Sequence, residues 1–186
     1  MDVYDFDGTL YMGDSTVDFL RHCIRRHPRA ALTLPLTGIA AIACFGMHVI
    51  DKTKFKGVLY RLLRHIPNID AEVTRFWRNN EGKIGGPCHP KPGDIVISAS
   101  PEFLLCGVCE KRGFVLIGSQ VDPITGRTLG PNCSNDEKPT RFRTVYPTAE
   151  IDRFFSDSHD DDPIAGIASQ AYFVRNGGLI PWNQAR

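Results

Sequence analysis

Asp5 and Asp7 stand two residues apart in DFDGTL, directly after an apolar run. In an extended backbone, residues i and i+2 point to the same side, so the two carboxylates would share one small volume. Close acids of this kind favour a shared cation and take up protons unequally, which suits one as nucleophile and the other as proton donor. A DxDG segment can also be a turn or a piece of a calcium loop; here the strand in front of it favours chemistry. Three further groups stand out. Ser98 closes the apolar run IVIS, Lys138 lies in NDEKPTRF, and DSHDDD at 157–162 gathers four aspartates and a histidine.

These residues need elements to bring them together. Short apolar runs bounded by turn residues recur at Asp2 to Phe6, Ile95 to Ser98, Phe114 to Ser119, Arg153 to Ser156 and Tyr172 to Arg175. They read as buried parallel strands. Helix-length segments lie between most of them: Pro101 to Arg112, Lys138 to Tyr146 and Pro163 to Gln170. The alternation predicts an α/β fold with a Rossmann-like parallel sheet, and catalytic residues of such sheets collect at the C-terminal strand ends, where the acids and Ser98 fall. From Thr16 to Pro92 the rhythm stops, and three helical patterns follow: TVDFLRHCIRR, KFKGVLYRLLRHI and DAEVTRFWRNN. The predicted organisation is a catalytic core of residues 1–15 and 93–186, with residues 16–92 inserted after the first strand as a helical cap. Val121 to Cys133, with its TGR turn, predicts a small β-hairpin.

Composition narrows the partners. Lys and Arg total 22 against 21 acids, a net charge of +1. That balance gives no support for nucleic-acid binding by phosphate neutralisation. Cysteines 23, 44, 88, 106, 109 and 133 are sparse for a disulfide scaffold, and with no cleavable signal pattern at the N-terminus they read as thiols in a reducing, cytoplasmic setting. The Cys106/Cys109 pair lies in an apolar, helical stretch and reads as two buried small side chains. RHCIRRHPR at 21–29 carries four arginines, and Ala30 to Ile50 then runs for 21 residues without a charge. One membrane crossing there would part Asp5 from Ser98, and two need more chain. The remaining readings are a buried cap hairpin broken around Pro35 and Gly38, or an interfacial element. His159 is expected in a supporting or solvent-facing place, His48 and His89 carry no readable role, and Trp77 and Trp182 read as packing residues.

DFDGTL resembles the first motif of the haloacid dehalogenase-like (HAD) superfamily, and IVISAS, Lys138 in NDEKPTRF and FFSDSHDDDP resemble its second, third and fourth motifs in order along the whole chain. The resemblance implies a Mg²⁺-dependent phosphatase that passes through a phospho-aspartyl enzyme. Asp5 would be the nucleophile and Asp7 the general acid and base. Asp5, the Asp7 carbonyl and Asp157 would hold the metal, and Asp161, or Asp160 in the adjacent register, would be the second acid that supports the metal shell or Lys138. Phe6, Asp7, Ser98, Ala99 and Lys138 would contact the phosphate. Dehalogenating relatives lack an acid at the Asp7 position and cation-pumping ATPases carry threonine there, so both branches are disfavoured. A non-catalytic phosphate-binding module would not need the full set of Asp5, Asp7, Ser98, Lys138 and Asp157.

The insert resembles the cap of the phosphoserine phosphatase-like subfamily, IB. Asp14 matches the position of a substrate-binding glutamate there, and either it or Ser15 also reads as the N-cap of the next helix. SAS replaces the SGG common among the amino-acid phosphatases. The cap is similar as well to that of bacterial phosphatidylglycerophosphate phosphatases of the superfamily, through FLR, the basic stretch, the apolar segment, VTRFWRNN and SDSHDDDP. That similarity implies a lipid-headgroup phosphate ester as substrate, with residues 21–50 making peripheral contact at the inner face of the membrane. The alternative is a small-molecule ester.

Overall fold

The computed structural model describes residues 1–46 and 52–185. Six strands form one sheet: β1 (Asp2–Tyr4), β2 (Ile95–Pro101), β3 (Val115–Ser119), β4 (Ile151–Ser156), β5 (Ala168–Arg175) and β6 (Gly178–Pro181). The spatial order is β3-β2-β1-β4-β5-β6, parallel throughout except for β6 against β5. This is the Rossmann-like α/β sheet expected from the sequence. Alternation along the central strands sends residues into two cores. Val3, Ile95, Ile97 and Phe154 enter one with Phe142 and Ile164, while Tyr4, Val96 and Phe155 enter the other with Phe19, Phe76 and Leu104. With both faces covered, the apolar runs of these strands, Val3–Tyr4, Ile95–Ile97 and Phe154–Phe155, are continuous rather than alternating.

Between β1 and β2, leaving aside residues 47–51, the chain is helical. It runs through α1 (Ser15–Arg26), a 3₁₀ stretch (Pro28–Thr33), α2 (Leu34–Ala41), a π turn (Ile42–Gly46), α3 (Lys52–Leu59), a second 3₁₀ stretch (Tyr60–His65) and α4 (Ile69–Asn80). Asp14 caps α1 by accepting from Val17 N at 2.8 Å, and Asn68 caps α4 by accepting from Ala71 N at 3.0 Å. Thr16, Phe19, Leu20 and Cys23 form the buried stripe of α1 at helical spacing. Glu72 on the buried face of α4 is ringed by His22 at 2.8 Å, Arg26 at 2.9 Å and Arg75 at 2.7 Å. A buried carboxylate is tolerated only with this kind of compensation.

Several expectations need correction. Pro163 to Gln170 is not one helix: α7 (Asp162–Ala165) is a single turn, and β5 already begins at Ala168. The run ASQAYFVR is extended because it pairs in parallel along β4, and that pairing outweighs local helical preference. KFKGVLYRLLRHI divides into α3 and the 3₁₀ stretch. β1 ends at Tyr4, so Asp5 and Asp7 lie beyond the strand rather than along it. The hairpin at Val121 to Cys133 reduces to one bridge, Val121 to Thr128. β6 was absent from the sequence reading; the turn before it has Asn176 at φ 52° and Gly177 at φ 75°, and the Asn-Gly dipeptide was its available signal.

Pro35 and Gly38 do not break the apolar segment: Pro35 sits in the first turn of α2 and Gly38 lies inside it. Ala30, Ala40 and Cys44 are buried, whereas Leu32, Leu34, Leu36, Ile39 and Ile42 are exposed. Residues 47–50 of that segment, His48 among them, lie outside the described residues. Among the described residues no helix is long and apolar enough to cross a membrane. The six cysteines are free, with Cys106 exposed and Cys109 buried. The Trp77 Nε1–H donates to Leu104 O at 2.6 Å in the core beneath the insert, and Trp182 packs on Phe154 and Phe173.

Candidate active site

The site gathers at the C-terminal ends of β1, β2 and β4. Asp5 follows β1 directly, its N–H donating to Phe155 O at 2.9 Å. The chain then turns tightly: Phe6 O accepts from Leu10 N at 2.9 Å and Tyr11 N at 2.8 Å, and Gly8 N donates to Tyr11 O at 2.9 Å. Gly8 has φ +74°, and a Cβ there would lie 1.9 Å from Asp157 Oδ2. Only glycine admits both that backbone and that approach. The β2–β3 register shifts between Ile97 and Pro101, which frees Ser98, Ala99 and Ser100 from the regular ladder at the site.

Lys138, in the first turn of α6 (Glu137–Val145), is the electrostatic centre. It is 2% exposed, and its Nζ donates to Asp5 Oδ1 at 2.8 Å and to Asp161 Oδ2 at 2.7 Å. Ser156 Oγ donates to the same Asp161 oxygen at 2.7 Å. Burial pushes the Asp161 carboxyl up to about 6, assisted by the charge of Asp5 and opposed by Lys138. Burial likewise raises Asp5, with Lys138 pulling down and Asp7 and Asp157 pushing up. Asp7 is raised by burial against hydrogen bonds from Ser100 and Ser15. Desolvation and the Asp161 charge raise Asp157.

A cleft of about 250 Å³ exposes Asp5, Asp7, Ser98, Ala99, Lys138 and Asp161 together, with Asp14 at its wall. Two of the expected residues do not line this cleft with their side chains. The Phe6 side chain does not line this cleft but is buried against Tyr11 and Trp77. Asp157 opens instead into a neighbouring cleft of about 470 Å³ formed with Gly8, Thr9 and Arg175. Asp161, not Asp160, is the acid on Lys138. His159 is exposed, with Nδ1 3.1 Å from Asp162 Oδ1.

The match that decides the family covers residues 3–165, where the chain fits the model of the haloacid dehalogenase-like hydrolases. The chain belongs to that family. Its fold is shared by a protein of unknown function from Bordetella pertussis at 15% identity and TM-score 0.69, covering 92% of this chain and 87% of that one. It is also similar to a phosphoserine phosphohydrolase-like protein from Francisella tularensis at 12% identity and TM-score 0.54, covering 92% and 86% of the two chains. A phosphoserine phosphatase in apo form aligns at 14% identity and TM-score 0.53 over 91% of this chain and 82% of that one.

In this hydrolase, three cleft residues escaped the sequence reading. Lys56 of α3 reaches in from the insert, its Nζ donating to Ala99 O at 2.8 Å and Asn132 Oδ1 at 2.8 Å. Among KTKFK, spacing alone does not tell which lysine turns inward. Ser100 donates to Asp7 Oδ2, and Thr16 stands beside it. Ser100 was legible only as one of two serines in SAS. Among the described residues the acids Asp5, Asp7, Asp14, Asp157, Asp160 and Asp161 line the two clefts together with three cations, Lys56, Lys138 and Arg175. Six acids against three cations, with an all-oxygen donor set, fit a hard divalent cation. Among the described residues no three His, Cys, Asp or Glu side chains close into a metal cage.

Proposed function

We propose that this hydrolase is a Mg²⁺-dependent phosphomonoesterase acting through a phospho-aspartyl intermediate on Asp5. The observation that carries the reading is the Asp5–Lys138–Asp161 triplet at the floor of a cleft that Asp7 and Ser98 also line. Asp161 holds Lys138 at the nucleophile, so the ammonium can offset both the Asp5 carboxylate and an incoming phosphate dianion. Asp5 attacks phosphorus as the phosphorus–alcohol oxygen bond breaks, and a protonated Asp7 gives its proton to the leaving oxygen. Asp7 then takes a proton from the water that attacks phosphorus and releases Asp5. Ser98 Oγ and the backbone after Asp5 hold the phosphoryl oxygens. Asp5, the Asp7 carbonyl and Asp157 are the proposed metal ligands; bound there, Mg²⁺ supplies positive charge that lets the two anions meet.

Residues 16–92 act as the cap over this site, and Lys56 of the cap and Asp14 of the core segment just before it are the groups that meet the substituent beyond the phosphate. A lysine there favours an ester bearing a second anionic group. The decisive experiment uses isotopically labelled phosphate ester with wild type and Asp5→Asn. Acid-stable label on the wild-type protein, absent in Asp5→Asn, together with turnover lost in EDTA and restored by Mg²⁺, supports the reading. Turnover that persists in Asp5→Asn rejects it.

A second reading, a lipid-headgroup phosphate ester hydrolysed at a membrane face, is favoured by the exposed Leu32, Leu34, Leu36, Ile39 and Ile42 beside the exposed Arg21, Arg25, Arg26 and Arg29. Apolar side chains adjoining a basic face are what an anionic interface attracts. Co-sedimentation with anionic vesicles that weakens with salt and is lost in Leu32→Glu/Ile39→Glu supports it. Absence of vesicle binding at low salt removes it.

A further inference from the structure

Asp7 does not hang freely in the cleft. Its Oδ1 accepts from Ser15 N at 2.6 Å, and its Oδ2 accepts from Ser100 Oγ. Ser100 Oγ in turn lies 2.8 Å from Thr16 Oγ1 and 3.4 Å from Ser15 Oγ. Ser15, Thr16 and Ser100 are all buried. A hydroxyl carries one proton, so Ser100, having given its proton to Asp7, must accept from its neighbour. The chain therefore runs Thr16 to Ser100 to Asp7. The Ser15 amide differs in kind: it can only donate, which makes Oδ1 a permanent acceptor and leaves Oδ2 as the oxygen whose partner can turn. Ser98 Oγ accepts from Ser100 N at 3.1 Å, so the segment that brings Ser98 into the cleft also fixes Ser100.

We infer that Ser100 is a positioning residue for proton transfer: with the Ser15 amide it locks the plane of the Asp7 carboxyl so that the proton is delivered to the leaving oxygen. The inference rests on the proposed acid role of Asp7. The phosphorus–oxygen bond to the alcohol breaks as the Asp5–phosphorus bond forms, and the Asp7 proton passes to the departing oxygen. Ser100 itself is not consumed and makes no bond to substrate. Its effect should scale with how much the leaving group needs that proton.

The test measures kcat/KM, which reports the steps up to phosphoenzyme formation, for phosphate esters from dinitrophenyl through phenyl to alkyl leaving groups. Wild type, Ser100→Ala, Ser100→Thr, Thr16→Val and Asp7→Asn are compared, with thermal melting as a check on fold. The expected result is a loss of at least about tenfold in Ser100→Ala on alkyl esters and less than about threefold on the dinitrophenyl ester, since general acid catalysis of this kind is worth about 10²–10⁴ in all. Ser100→Thr should restore the alkyl rate, and Thr16→Val should shift the series in the same direction by less. An equal loss across all leaving groups, or no loss, overturns the inference. Should Ser100→Ala not fold, Thr16→Val and Ser100→Thr carry the same comparison. Asp7→Asn separates the two failures: if it spares alkyl esters, the acid role of Asp7 fails. If it loses them selectively and Ser100→Ala does not, the positioning role alone fails.

Discussion

Replacing Lys138 by Met tests whether the centre of the site is held by charge. The Nζ lies 2.8 Å from Asp5 Oδ1 and 2.7 Å from Asp161 Oδ2, and the residue is 2% exposed. At an effective dielectric constant near 20, each contact is a gross attraction of roughly 6 kcal/mol. Desolvation of the three groups consumes much of that, and breaking such a buried arrangement costs about 3–5 kcal/mol net. For a domain of this size about 2–4 °C follows each kcal/mol, so melting should fall by roughly 6–20 °C at pH 8. The loss must depend on pH. Burial already holds Asp161 near 6 with the lysine present and raises Asp5 as well; without the lysine both rise further. An acid whose folded pKa exceeds its unfolded value binds a proton in the native state. Its penalty is absent below about pH 4, the unfolded range, and grows as pH rises through the folded value. The gap between wild type and Lys138→Met should therefore be larger at pH 8 and shrink at pH 5. Circular-dichroism melts in EDTA at the two pH values measure it, and high salt should change it little because the groups are buried. A gap equal at pH 5 and pH 8 would mean that Lys138 contributes packing rather than charge, and the electrostatic account of the site would fail.

Gly8→Ala should lose at least about a hundredfold in turnover and about 1–3 kcal/mol in stability, because its Cβ would fall 1.9 Å from Asp157 Oδ2 at φ +74°; steady-state kinetics and chemical denaturation read both. Lys56→Ala should raise KM about tenfold for an ester with a second anionic group and leave KM for phenyl phosphate within about twofold, since one charge-assisted hydrogen bond is worth about 1.5–3 kcal/mol. Equal effects on both esters would remove Lys56 from substrate recognition. Although burial pushes Glu72 up, the hydrogen bond with His22, the His27 ring at 3.4 Å and the charges of Arg26 and Arg75 hold its carboxyl below the usual value of 4.5. A lowered carboxyl stabilises the fold above its unfolded value and loses that contribution as pH falls through the folded one. Urea denaturation should accordingly find Glu72→Gln destabilised at pH 7, with the difference from wild type shrinking below about pH 4.5.

Much of the site was written in local sequence because its groups sit where strands end. Asp5, Ser98 and Asp157 each follow an apolar run whose parallel pairing is dictated by β-branched and aromatic residues, so the strand pattern alone aligned them at one sheet edge. Lys138 was readable as a residue type, yet its burial between two carboxylates was not. Asp14 carried both readings in the sequence, and the structure joins them: it caps α1 and lines the cleft. The Asn-Gly dipeptide at 176–177 is the local signal for the turn into β6. The helical reading of Pro163 to Gln170 failed because pairing with β4, a partner distant in the chain, decides the conformation of Ala168 onward.

The sequence by itself determined the sheet and the helical stretch between β1 and β2, and it named the acids, serine and lysine of the candidate site, since these depend on side-chain period and on residues adjacent to strand ends. Tertiary structure alone decided which lysine of KTKFK enters the cleft, which aspartate of DSHDDD meets Lys138, that Asp157 opens to a separate cleft behind Gly8, and that Ser100 grips Asp7. Each of those is a distance between residues far apart in the chain or a choice among identical neighbours. Such choices turn on packing and on the balance of buried charge, neither of which has a sequence period.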